Sequence, residues 1–257
     1  MARGVTRYDE AQLQGRLWTV EQLTPALVSW YDANDPTTIT IVTNFFGSRV
    51  SEWRDKSGNN RHVAQSNEVE RPTYNYSGLN GRPAVVWPNN VNNCSLAWTG
   101  SAYSPIRSYA VARFVPNPEA PPRVGLCSHN YSVQPDIAIT IVSPAPSSSP
   151  LFWDVNFGGV GFHNGSSVAE ANTYNTVINP FIWTNVSGST SRTVLWIGSD
   201  RGLATRGWMG QISEFIQISI VPTLRERNLI EGYLAWKWGI SLVADHPFAN
   251  RPPLIGD

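Results

Sequence analysis

From Trp18 onward the chain is a succession of short β-prone runs, each cut off by turn residues: TTITIV, RPAVVW, RSYAVARFV, DIAITIV, PFIWTNV, RTVLWIG and ISEFIQISI. None is long enough for a core helix. Several alternate with period two, as in Ser213, Phe215, Gln217 and Ser219 against Ile212, Glu214, Ile216 and Ile218, which is the signature of a strand with two different faces. Many short strands so spaced predict an all-β sandwich or barrel, and 257 residues fit one such domain.

The exception is the C-terminal stretch IEGYLAWKWGISLVADHPFANRPP and the residues just before it. Thr223 and Glu226 stand at capping-box spacing after Pro222, and Leu229, Ile230, Tyr233, Leu234 and Trp236 recur at helical intervals. Gly239 can supply the left-handed stop. The sequence therefore predicts one helix over 223–239, laid against the outside of a sheet or across its open edge. Trp236 and Trp238 are expected as core anchors, with Trp236 facing the core, and residues 240–257 as an extended strap over the surface.

A composition of 41% hydrophobic and 11% aromatic residues, with eleven Trp, supplies a sizeable core without staples. Charge is sparse and balanced, nineteen basic against nineteen acidic, and Lys56 and Lys237 are the only lysines. That balance argues against nucleic acid and anionic membranes as partners. The opening MARGVTRYDEAQLQGRLW lacks the apolar run of a secretory signal, and no stretch approaches the roughly 20 apolar residues of a membrane span. Synthesis in a cytoplasm is expected. Cys94 and Cys127 read as buried free thiols, with pairing left open.

The sequence predicts residues 1–17 as an arm outside the core and residues 18–257 as the domain. The proline-rich stretches VPNPEAPPR and SPAPSSSP forbid central strands and predict exposed loops at one end of the sandwich.

Five segments in fixed order carry a family likeness: WYDANDPTTIT, VSEWRDKSGNNRHVAQ, RPTYNYSGLNGRPAVVW, LWIGSDRGLATRGWMGQISEFIQI and EGYLAWKWGISLVADHPFANRPP. Together they resemble the concanavalin A-like, laminin G-type jelly-roll domains of tailed-bacteriophage virion structural proteins. The combination of W-x-DKSGN-x-RH, LNGRP and GYLAWKWG is the specific part. The resemblance implies a concanavalin A-like jelly-roll β-sandwich on a particle surface, as a capsid decoration or a tail or fibre module. It makes the arm, with Arg3, Arg7, Tyr8 and Arg16, a candidate segment for docking on other virion proteins.

Candidate chemistry is thin. A glycosidase needs two carboxylates on one strand or on facing strands; Glu68 and Glu70 stop at Pro72, and Asp136, Asp154, Glu170 and Glu214 read as isolated. No His or Cys spacing fits a transition metal. Asp32, Asp35, Asp55 and Asn59 could ligate calcium, but Asp and Asn in such turns commonly bond their own backbone two residues on. Sugar binding is physically open through aromatics interrupted by Gly and Asn: Trp98 and Tyr103 in LAWTGSAYSP, and Trp153, Phe162 and His163 in LFWDVNFGGVGFHNG.

The expected function is that of a non-enzymatic virion surface protein without cofactors, serving assembly, reinforcement or host adhesion. Its expected partners are other virion proteins and host-surface glycans, and a homo-oligomer fits as well as a monomer. Two rivals stay open: a stand-alone lectin or adhesin, and a glycoside hydrolase whose acids the sequence does not pair.

Overall fold

The computed structural model describes residues 16–45, 47–88, 94–115, 123–129, 138–142, 151–153, 161–168, 179–186, 191–200 and 206–257. Arg3, Arg7, Tyr8 and most of the two proline-rich stretches lie outside the described residues.

Among the described residues two eight-stranded sheets, antiparallel throughout their pairings, form a sandwich of the jelly-roll kind. The first runs β13 (Ser166–Val168), β12 (Gly161–His163), β14 (Phe181–Val186), β8 (Arg107–Phe114), β16 (Gly210–Ile218), β6 (Arg82–Trp87) and β5 (Thr73–Leu79), with β1 (Leu27–Asp32) also paired to β16. The second runs β11 (Leu151–Trp153), β10 (Ala138–Val142), β9 (Arg123–His129), β15 (Arg192–Ile197), β7 (Leu96–Tyr103), β4 (Val63–Ala64), β3 (Gly47–Trp53) and β2 (Ile39–Asn44). Every run marked from the sequence overlaps one of these strands.

The first sheet is buried on both faces. Tyr31, Trp87, Phe114, Phe181 and Phe215 meet Trp53, Leu96, Leu126 and Leu195 of the second sheet in the core between the sheets. Trp30, Tyr109, Ile216 and Ile218 pack on the opposite side against Leu229, Ile230, Tyr233, Leu234 and Trp238. The alternation expected for Ile212 to Ile218 breaks at a bulge between Ile212 and Glu214. Ile212 thereby joins Phe215 in the inter-sheet core, while Ile216 and Ile218 turn to the helix. The extra residue of a bulge changes which face each side chain takes.

The helix, α1 (Leu224–Trp238), starts and stops where its local signals place it. Thr223 Oγ1 accepts from the Glu226 amide at 3.2 Å, the Thr223 amide donates to Glu226 Oε2 at 2.7 Å, and Gly239 ends it at φ 65°. Beyond its first turn burial is nearly all round, because the strap covers the side that the sheet does not. Gly232 permits that approach: a Cβ there would lie 2.8 Å from Phe248. The strap then meets the start of the described chain, with Trp18 N donating to Pro253 O at 3.1 Å and Ile255 N to Arg16 O at 2.9 Å.

One expectation for the helix is corrected. Trp238 is fully enclosed, but Trp236 is only partly buried and donates its Nε1 to Phe248 O at 2.7 Å. It holds the strap and does not anchor the core. Both cysteines are buried and unbridged. Among the described residues no helix is long and apolar enough to cross a membrane.

Candidate functional site

Two clusters of chemistry-bearing side chains stand out among the described residues. The first lies between the first sheet and α1. The ladder makes Asp32 of β1 and Glu214 of β16 direct partners, so the chain does hold two carboxylates on facing strands. Lys237 Nζ lies 2.8 Å from both Asp32 Oδ2 and Glu214 Oε2. Lys56 Nζ reaches Asp32 Oδ2 at 3.3 Å and Asp35 Oδ2 at 2.9 Å. Both lysines of the chain thus converge on Asp32.

Glu214 is fully enclosed and richly bonded. Its Oε1 accepts from Trp30 Nε1 at 2.7 Å and the Tyr233 hydroxyl at 3.0 Å, and its Oε2 from Trp238 Nε1 at 2.5 Å. Burial pushes its carboxyl upward, against the pull of Lys237. A general acid or base must reach a reacting proton, whereas these oxygens are taken by groups of the chain itself. The arrangement ties helix to sheet.

The neighbouring turns supply further locks. Asp55 Oδ1 accepts from the amides of Trp30 and Ser57, each at 2.9 Å, and its Oδ2 from the Arg61 amide at 3.0 Å. Asn59 Nδ2 donates to the carbonyls of Leu27 and Val28 at 3.0 Å. Asp32 accepts from the Asn34 amide and Asp35 from the Thr37 amide, two residues on in each case. The four calcium candidates therefore spend oxygens or amide hydrogens on lysines and backbone, and Asn59 turns its Nδ2, a donor, to the carbonyls. Asn80, at the turn of the β5–β6 hairpin, donates to Trp238 O at 2.8 Å and Gly239 O at 3.0 Å, closing the end of α1. The DKSGN, LNGRP and AWKWG segments are thus parts of one interlock.

The second cluster sits between the sheets. Trp98 and Tyr103 of β7 meet edge to face at 5.3 Å, and the Arg61 guanidinium lies 4.8 Å from the Tyr103 ring centre and 5.7 Å from that of Trp98. Trp98 and Arg61 are partly exposed and Tyr103 is enclosed. Gly100 lets the chain bend tightly past the indole, since a Cβ there would lie 2.5 Å from Trp98 Cζ2. Arg61 Nη1 donates to Val28 O at 2.6 Å, and Tyr31 donates its hydroxyl to the Arg61 carbonyl. Behind Tyr103 the interior stays polar: Gln217 accepts from Ser29 at 3.0 Å, donates to Ser108 at 3.1 Å and lies 2.9 Å from His129 Nε2. Burial raises the Tyr103 phenol pKa, while Arg61 and Arg192 pull it back.

Of the five aromatic candidates, the structure brings Trp98 and Tyr103 together. Phe162 and His163 belong to the first sheet. Phe162 lies beneath the Arg227 guanidinium at 3.8 Å, and His163 stacks on Phe181 at 5.8 Å, where burial lowers its pKa to about 4. Trp153 is in β11, and its side chain lies outside the described residues. Of the docking candidates only Arg16 is described, exposed, with its carbonyl taken by Ile255. Sequence reasoning missed Arg61, because its segment GNNRH reads as a turn, and missed the Asp32–Glu214 pair, because nothing local joins its members.

No protein-family model matches the chain, and no curated protein matches it. Among solved structures it is similar to the Trypanosoma rangeli sialidase in complex with the inhibitor DANA, at 12% identity over 87% of this chain and 36% of that chain, with a TM-score of 0.42. It is also similar to a mutant GH54 α-L-arabinofuranosidase soaked with a nitrophenyl arabinofuranoside, at 13% identity over 87% of this chain and 61% of that chain, with a TM-score of 0.47. A third is an arabinofuranosidase complexed with arabinofuranosyl-α-1,2-xylobiose, at 13% identity over 83% of this chain and 59% of that chain, with a TM-score of 0.41. The chain spans from about a third to about three fifths of these structures, and no residue role passes from them at such identities. The expectation of a protein that is not an enzyme is nevertheless corrected in its stated ground: the facing-strand acid pair on whose absence it rested is present.

Proposed function

We propose that the chain handles carbohydrate, meeting a glycan where Trp98, Tyr103 and Arg61 come together between the sheets. The observation that carries this reading is the partly exposed Trp98 ring, held edge-on by Tyr103 beside an arginine. An aromatic face packs on the apolar face of a pyranose, and a cation with nearby polar groups bonds its hydroxyls. A glycan array on the purified protein, with Trp98→Ala in parallel, tests it. Binding that disappears in the variant at unchanged melting temperature supports the assignment; a blank array, or binding indifferent to Trp98, overturns it.

The setting we propose is the surface of a tailed-phage particle, with the chain made in the host cytoplasm and docked on capsid or tail proteins through its arm. The interlock of the DKSGN, LNGRP and AWKWG segments supports treating them as a single signature, and that signature points to the phage-associated jelly rolls. Labelling purified particles with an antibody to this chain checks the setting, and label confined to the host cytosol contradicts it. Deleting residues 1–15 should leave the protein folded and abolish its incorporation. Normal incorporation of that deletion would move docking elsewhere on the chain.

A further inference from the structure

The residues at the Trp98 site have more to offer than a neutral sugar needs. Arg61 spends Nη1 on the Val28 carbonyl, while its enclosed Nε has no hydrogen-bond partner among the described residues. Among the described residues no carboxylate lies within ion-pair distance of it. The Tyr103 hydroxyl is likewise enclosed and without a partner among the described residues, on a side chain that is 6% exposed. Enclosed polar groups in folded proteins are nearly always paired, so an unpaired guanidinium nitrogen and the unpaired hydroxyl of the ring that the guanidinium overlies mark a place where an acceptor belongs.

A second cation serves the same spot. Arg192 is the ladder partner of Tyr103 across β7 and β15, is 4% exposed, and acts with Arg61 on the Tyr103 phenol. The other group bearing on that phenol is the buried Cys127 thiol. Two guanidinium groups, a phenol with its proton to give and an aromatic ring at the mouth describe a receptor for a planar anion carried on a sugar. The guanidinium edge of Nε and Nη2 matches the two oxygens of a carboxylate.

We infer that the Arg61–Trp98–Tyr103 site takes acidic glycans, with the carboxylate of a uronic-acid residue on the Nε edge of Arg61 and the Tyr103 hydroxyl while the sugar ring packs on Trp98. This rests on the glycan reading above and narrows it to carboxylate-bearing saccharides. Trp98 and Arg61 are the two partly exposed members of the group.

Calorimetric titration with a glucuronic-acid oligosaccharide, a neutral glucose oligosaccharide of the same length and inorganic phosphate tests the inference. The acidic oligosaccharide should bind at least about tenfold tighter than the neutral one, and its advantage should shrink between about 50 and 500 mM salt as a charge contact does. Arg61→Met should remove the advantage, and Arg61→Lys should keep the salt dependence while losing most of the affinity, because a point charge lacks the fork. Should the Met variant misfold, the Lys variant and the wild-type salt series still decide. Equal binding of acidic and neutral sugars overturns this inference and leaves the glycan reading standing. Failure of both to bind removes both. Phosphate competing as strongly as the acidic sugar shows a general anion site and overturns the assignment to uronates.

Discussion

Lys237 has two carboxylates to satisfy and Lys56 a share in one of them, so the two lysines should differ sharply on substitution. Lys237→Met leaves Glu214 enclosed without its counter-ion, a loss of about 3–5 kcal/mol by the behaviour of broken buried ion pairs. Lys56→Met acts at the more exposed end, where Asp32 keeps Lys237, and should cost about 1 kcal/mol or less. Urea unfolding of the two variants checks the order; a Lys237→Met change as mild as Lys56→Met would show that Glu214 does not depend on that contact. His163 gives a pH dependence of definite sign. Burial lowers its folded-state pKa to about 4, below the ordinary value near 6.5, so the unfolded chain binds the extra proton first. Its contribution is complete above about pH 6.5 and is lost as pH falls toward 4, with a ceiling of about 3 kcal/mol. Stability measured between those limits should fall less steeply in His163→Phe, which keeps the contact with Phe181 and removes the titration. An unchanged slope would place the pH dependence elsewhere.

α1 is an element held on three sides. Glu214 grips it through Trp238 and Tyr233, Asn80 closes its C-terminal carbonyls, and Trp236 holds the strap over its outer side. Trp238→Ala removes an enclosed ring and one donor to Glu214 and should cost about 3–5 kcal/mol. Trp236→Ala loses one hydrogen bond and part of a ring's packing, about 1–2 kcal/mol, and should free the strap before the sandwich unfolds. Limited proteolysis separates the two: early cleavage near Phe248 is expected in Trp236→Ala, with the rest of the chain resistant. Cleavage spread through the sheets in that variant would contradict the division of roles.

At the scale of the molecule, two layers of strand and one of helix share a single middle sheet, buried on both faces. The strap matters in proportion. A chain ending at Gly239 loses Phe248 and the backbone bonds to residues 16 and 18, and uncovers Trp236 and the outer side of α1. Such a truncation should give a molten or insoluble product, with dye-accessible apolar surface and no sharp near-ultraviolet signal. A truncated protein with a cooperative melt near that of the full chain would make the strap a covering only. The acid pair and the Arg61 site have opposite places in this architecture. The acids sit sealed under the helix, where they fix the fold, whereas Arg61 and Trp98 keep access to solvent.

The sequence by itself determined what a few adjacent residues can encode. Period-two runs marked the strands, Thr223, Glu226 and Gly239 marked both ends of the helix, and Trp98 and Tyr103 already stood in one short stretch as an aromatic pair. It could not show that Asp32 faces Glu214, that Lys56 and Lys237 share one carboxylate, that Arg61 lies over Tyr103, or that Phe162 and His163 belong to a different sheet from Trp98. Those pairings depend on strand order and on register, and bulges such as the one between Ile212 and Glu214 reset which face a side chain takes. Local chemistry sets where an element begins and ends; only the closed ladders of the folded chain decide which distant side chains meet.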